Sequence, residues 1–212
     1  MIKNIYFIGG SPCGGKSTVA EALSKKYDLY YFKVDDLLDQ YIQMGASKGY
    51  EICSKLAVMN SEQIWMRDPA LQCKEELLFY EEVCNFWVDD LCQVTTQRGI
   101  ITEGAAYFPI LMKKLQVPYN RYISITPTAE FQVFHFKKRE WVPYILEGCS
   151  DKEAAFSKWM ERDILFAEDV RKQCEKLQYL SLTNNGEMTI EEMITRTAVH
   201  FGLEAQHEVT GK

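Results

Sequence analysis

Apolar runs rich in β-branched and aromatic residues alternate along the chain with stretches whose apolar positions recur at helical spacing. Ile2 to Gly9 is nearly continuous in apolar character, as a strand buried on both faces should be. From Ser17 to Lys26, Val19, Ala22 and Leu23 fall on one helical face. Leu29 to Val34 predicts a second strand, ending at Asp35-Asp36 ahead of a short helix through Tyr41. Residues 44–67, with Gly45, Gly49 and mixed polarity, predict loops around a short helix. Asp68 and Pro69 then pair an N-cap with a first-turn proline, and Leu77, Tyr80, Cys84, Trp87, Leu91 and Val94 continue at helical spacing towards Arg98. Gly99 supplies the expected stop. A single helix over this run would be about 40 Å long, enough to carry an arm beyond a sheet.

The second half repeats the alternation. Ile100-Ile101-Thr102 predicts a third strand ending in Glu103-Gly104, and Arg121 to Ile125 a fourth, with Thr126-Pro127 capping the next helix. Ser150 and Glu153 suggest a capping box before a long helix reaching about Leu177, and Tyr179 to Leu182 a fifth strand. Thr189 and Glu192 form another capping box, opening a last helix with Ile190, Met193, Ile194, Ala198 and Phe201 inward. Five strands with crossover helices imply an α/β fold: one five-stranded parallel sheet with helices on both faces, in a single domain over 1–212. Ligands of such sheets bind beyond the carboxyl ends of the strands, where Asp35 and Glu103 fall.

Between the first strand and first helix lies Gly10-Ser11-Pro12-Cys13-Gly14-Gly15-Lys16-Ser17, which fits the phosphate-cradling pattern G-x-x-x-x-G-K-[ST]. Its glycines permit positive φ and close backbone approach, so that successive N–H groups can line an anion seat at a helix N-terminus. Gly10, Ser11, Cys13, Gly14, Gly15, Lys16, Ser17 and Thr18 are therefore candidates for binding ATP, with Lys16 reaching the β- and γ-phosphates and the Ser17 hydroxyl on Mg²⁺. The competing reading is a glycine-rich turn that binds nothing; the flanking strand and helix weigh against it. No G-x-G-x-x-G occurs, which excludes the dinucleotide-binding loop.

Charge and composition narrow the partners. The net charge of −6 provides no basic field for nucleic acid. No apolar run approaches a membrane span, and the short N-terminal run is read as too brief for a secretion signal. The seven cysteines are scattered without a C-x-x-C pair, which suits a reducing cytoplasm better than a disulfide framework or a zinc site. Cys13, inside the glycine loop, is the one with a conceivable sensitivity to oxidants. His135, His200 and His207 show no metal-ligand spacing.

This layout resembles the P-loop kinase family, which includes adenylate, shikimate, gluconate and nucleoside-type kinases. The resemblance implies transfer of the ATP γ-phosphate to a hydroxyl of a small-molecule acceptor. Asp35 matches the acidic residue that holds the acceptor or takes its proton, and Glu103 matches the acidic or polar position near Mg²⁺ and acceptor. Thr183-Asn184-Asn185-Gly186 matches the loop beside the adenine. The segment from Lys137 to Ser150 occupies the place of a basic lid, with Arg139 in it and Arg162 on the following helix as candidate catalytic cations. Each has a plainer reading: Asp35 as a helix cap, Glu103 as a solvated strand end, Arg139 and Arg162 as surface charges, Asp36 and Asp39 as first-turn acids. No N/T-K-x-D guanine reader and no L-S-G-G-Q-type signature is present, so GTPases and ABC-type ATPases fit worse. A P-loop ATPase or nucleotide switch without a small acceptor stays open as the alternative.

Residues 44–98 are expected to form the acceptor side, and Arg67, beside Trp65, is its candidate anion contact. A phosphorylated acceptor would ordinarily want a fork of arginines. A lone Arg67 with Tyr50, Gln63 and Trp65 suits an alcohol or a singly charged acceptor better. Phe131, Phe134 and Lys138 share one helix face, as do Phe156, Met160 and Ala167, and core packing accounts for both sets. The oligomeric state is left open by these patterns.

Overall fold

The computed structural model describes residues 4–204. Its elements run β1 (Ile5–Gly9), α1 (Lys16–Lys26), β2 (Tyr30–Lys33), a 3-10 turn (Val34–Leu37), α2 (Leu38–Ser47), α3 (Glu51–Leu56) and α4 (Ser61–Trp65). There follow α5 (Pro69–Glu82), α6 (Cys84–Gln93), β3 (Ile100–Glu103), α7 (Pro109–Lys114), a 3-10 turn (Tyr119–Arg121) and β4 (Tyr122–Pro127). The described residues end with α8 (Ala129–Phe136), α9 (Val142–Ile145), α10 (Lys152–Leu177), β5 (Leu180–Asn184) and α11 (Ile190–Phe201). All strand pairs are parallel, in the order β2-β3-β1-β4-β5.

The period-2 geometry of β1 builds two cores at once. Ile5 and Phe7 join a cluster with Phe79, Trp87, Leu111 and Phe166, beneath α5, α6, α7 and α10. Tyr6 and Ile8 turn the other way, onto Val19, Leu23, Met193 and Phe201 beneath α1 and α11. Burial on both faces explains why β1, β3 and β4 read as continuous apolar runs, whereas the edge strand β2 is only partly covered.

Several sequence expectations change in detail: the short helix read as ending at Tyr41 runs on to Ser47, and the stretch read as loops around one short helix carries both α3 and α4. The predicted 68–98 helix is two helices, broken at Val83, where Phe86 and Trp87 bond back to the Val83 carbonyl. Val83 is fully buried, so the apolar period continues across the break and conceals it. Helix α6 stops at Gln93, and Gly99 instead leads into β3, its carbonyl accepting from the Tyr30 N–H. The cap of α8 is Thr128 rather than Thr126-Pro127, which end β4, and the cap of α10 is Asp151 rather than Ser150. The Asp68 cap and the Thr189–Glu192 capping box are as expected, each cap contributing about 1 kcal/mol.

The sheet order, with a glycine loop between β1 and α1, defines a P-loop kinase-like fold. Gly10 shows how tightly that loop is seated: its φ is 119°, and a Cβ there would lie 2.0 Å from the Ile125 carbonyl oxygen of β4. Gly10→Ala should therefore destabilise the protein by about 3 kcal/mol, lowering Tm by roughly 6–12 °C in thermal unfolding. An unchanged Tm would mean that β4 yields without cost.

Candidate functional site

The loop after β1 closes directly onto α1, whose N-cap, Gly15, has φ 101°. Cys13 also adopts a positive φ, 64°, so the backbone curls through successive unusual conformations around a concavity. Lys16 is buried, and its Nζ donates to the Ser11 carbonyl at 2.9 Å, which folds the ammonium back over the loop. Asn184, at the end of β5, buttresses the opposite side: its Nδ2 donates to the Gly14 carbonyl at 3.1 Å and its Oδ1 accepts from the Gly186 N–H at 3.0 Å.

A cavity of about 460 Å³ opens beside this loop. Gly15, Lys16, Ser17 and Thr18 line one end, and Asn184, Phe131 and Ile190 the other. Phe131 and His135, on α8, have ring centroids 4.1 Å apart and form part of this wall. Phe131 is thus not simply core, as its helical spacing had suggested, whereas Phe134 is exposed beneath Lys138. Arg139 also reaches the cavity: its Nη2 lies 3.1 Å from the Cys13 Sγ, and its guanidinium packs over Phe136 and Trp141.

Asp35 lies in the 3-10 turn after β2 and does not cap it; the cap position is Lys33. Its carboxylate accepts from the Ala105 N–H, an approach that Gly104 permits, since a Cβ there would come 2.6 Å from Asp35 Oδ1. The cleft walls crowd this carboxylate although its outer side remains open to water. Desolvation raises its pKa to about 6, opposed mainly by the positive charge of Lys16 and reinforced by Glu103. Glu103 is fully buried at the end of β3; its Oε1 accepts from the Tyr31 hydroxyl at 3.0 Å, and its Oε2 has no partner. Tyr31 is also hydrogen-bonded to Ser17, and burial followed by the Glu103 charge raises its pKa. Ser17, Tyr31 and Glu103 thus form one polar line from the loop to β3. Tyr31 was not evident in the sequence, because its significance depends on the β2–β3 register that sets Lys33 opposite Glu103.

No group of three or more His, Cys, Asp or Glu side chains able to hold a metal is found among the described residues. The unpartnered Glu103 Oε2 and the Ser17 hydroxyl nonetheless suit a hard divalent cation that takes its remaining ligands from phosphate and water.

Arg162 lies elsewhere. On α10 it pairs with Glu76 at 2.6 Å and with Asp163 at 2.6 Å, and it packs over Trp65. Burial alone would lower its pKa, but Asp163 and Glu76 more than offset that and hold the guanidinium charged. Asp163 is fully buried; desolvation raises its pKa, with Arg162 the chief opposing influence. Arg67, whose Nε donates to the Ile64 carbonyl, forms an ion pair with Glu75, which also binds Lys55 at 2.5 Å. Arg67 and Arg162 line a second cavity of about 280 Å³, with Leu38, Ile42, Trp65 and Phe79 among its apolar walls. Tyr80, also in that wall, feels the charge of Asp35, and Asp163, the partner of Arg162, feels that of Lys16. Of the side chains expected beside Arg67, only Trp65 lines this cavity. Tyr50 stacks on Phe86 within the arm, and Gln63 completes the capping box of α4.

Within the segment from Lys137 to Ser150, Lys138 and Arg139 line the first cavity, and Val142, Leu146 and Cys149 pack against Phe136, Trp159 and Met160, with Cys13 at the cluster's edge. Its end is tied to the arm, the Ser150 N–H and hydroxyl donating to Glu62 at 2.7 and 2.8 Å. Trp65 stacks on Trp159 at 4.4 Å beside this junction.

No protein-family model matches the chain, and no curated protein matches its sequence. Solved structures align with most of its length. TT1252 from Thermus thermophilus is 18% identical with a TM-score of 0.49, the match covering 92% of this chain and 95% of that one. Shikimate kinase from Aquifex aeolicus is 18% identical with a TM-score of 0.37, covering 98% and 99%. No helix among the described residues is long and apolar enough to cross a membrane.

Proposed function

We propose that this protein is an ATP-dependent phosphotransferase that moves the γ-phosphate to a hydroxyl of a small molecule. The observation that carries the reading is a pair of cavities, one on the glycine loop, lined by Lys16, Ser17 and Asn184, the other lined by the arm and α10. A switch ATPase needs the first; an acceptor gives the second a purpose.

In this reading the loop amides between Gly10 and Thr18 seat the phosphates, with Phe131 and Asn184 at the adenine end. Ser17 and Glu103 hold Mg²⁺, which when bound supplies charge neutralisation on the transferring phosphates. Lys16 swings from the Ser11 carbonyl to the γ-phosphate, and Arg139 adds positive charge from the covering segment. Asp35 orients the acceptor hydroxyl and accepts its proton as the oxygen bonds to the γ-phosphorus. The bond from that phosphorus to the β,γ-bridging oxygen breaks, and ADP leaves. Arg162 belongs to the acceptor side, where it lines the second cavity with its charge engaged by Glu76 and Asp163.

Calorimetry with ATP and Mg²⁺ tests the foundation, and absence of binding would end the proposal. Closure is tested separately. Adding Mg²⁺ and ATP should slow proteolytic cleavage between Arg139 and Ser150 several-fold, whereas an unaltered cleavage rate would mark the segment as a fixed loop.

A further inference from the structure

We infer that the acceptor carries a cationic amine, held by Asp39, four residues along the chain from the Asp35 that orients its hydroxyl. This rests on the phosphotransferase reading and names the class of molecule its second cavity takes. The argument is one of charge already spent. Both arginines of the cavity are engaged by the protein's own carboxylates, Arg67 by Glu75 and Arg162 by Glu76 and Asp163. Glu75 is bound in addition by Lys55, and Glu76 accepts from the Tyr80 hydroxyl at 2.8 Å. An incoming carboxylate or phosphate would have to displace those pairs, leaving a mostly buried glutamate without its cation.

One charge in the cavity wall is left over. Asp39 lines it from the first turn of α2, and its carboxylate has no hydrogen-bond or ion-pair partner among the described residues. It follows Asp35 by four residues, across the 3-10 turn and into the first turn of α2. A molecule spanning them presents a hydroxyl to one acid and an ammonium to the other. Leu38, Ile42, Trp65 and Phe79 then cover an apolar body, and about 280 Å³ limits that body to something near one ring. The site is thus built for a compact amino alcohol with a hydrophobic substituent, and against phosphorylated or carboxylated acceptors.

Three probes of matched size separate the possibilities: phenylalaninol as the cation, 3-phenylpropan-1-ol as the neutral compound and 3-phenyllactate as the anion. Calorimetry on the full chain at neutral pH, with Mg²⁺ and AMP-PNP bound, should give tightest binding for phenylalaninol. The margin over the neutral alcohol should be about tenfold, one charge-assisted hydrogen bond, with 3-phenyllactate weakest. Asp39→Asn should erase that margin while affinity for 3-phenylpropan-1-ol stays within about twofold. AMP-PNP titrated alone is the control: failure to bind it overturns the phosphotransferase reading and this inference with it. With AMP-PNP bound, an equal or reversed ranking overturns the amine assignment alone. So does binding of none of the three probes, or a preference for phenylalaninol that survives Asp39→Asn.

Discussion

Lys16→Ala is expected to lower phosphoryl transfer about 10²- to 10³-fold while leaving the fold intact, as measured by steady-state turnover and thermal unfolding. The asymmetry follows from the lysine's surroundings. Its ammonium is buried yet makes a single hydrogen bond, to the Ser11 carbonyl, so the folded state loses little when it is removed. In the reaction the same ammonium meets charge that grows on the departing phosphate oxygens, in a site from which much water is excluded. Turnover close to wild type would contradict the role assigned to the loop.

Asp35→Asn should reduce kcat by about 10²- to 10⁴-fold with ATP affinity nearly unchanged, because the residue serves the acceptor and not the nucleotide. Its raised pKa adds two consequences. A base must be ionised to accept a proton, so wild-type kcat/KM should climb with pH and level off above about 6. Stability runs the other way. A carboxyl whose folded pKa lies above its unfolded value contributes stability at low pH, and that contribution is lost as pH rises through about 6. At neutral pH Asp35→Asn should therefore leave Tm unchanged or slightly raised. A lowered Tm with kcat preserved would identify Asp35 as a structural residue.

The strands and the glycine loop could be read from the chain because both are local. Burial on two faces forces continuous apolar runs, and a loop whose backbone must twist at Gly10 and Gly15 needs glycine there. Asp35, Glu103 and Asn184 were legible for a related reason, since a parallel sheet sends its strand ends to one edge. What escaped depends on distant partners. The pairing of Arg162 with Glu76 joins residues 86 positions apart, and it changes a free cation into a neutralised one. Ser150 and Asp151 are both good caps, and the choice falls to Asp151 because Glu62, on another helix, takes Ser150. The break at Val83 was hidden because helical periodicity survives it. Phe131 shows the opposite difficulty: an aromatic on an apolar face reads as core until the neighbouring loop leaves one side of it open.

The knot of indoles where the arm meets the covering segment has an optical consequence. Trp65, Trp141 and Trp159 lie within 6 Å of one another in succession, whereas Trp87, the last of the chain's four, is sealed in the core beneath α6. A hinge that lifts residues 137–150 away from α10 draws Trp141 off Trp159, while the Trp65–Trp159 stack between α4 and α10 and the core Trp87 stay in place. The protein thus carries a built-in fluorescent gauge of its own opening, with an internal reference in the same spectrum.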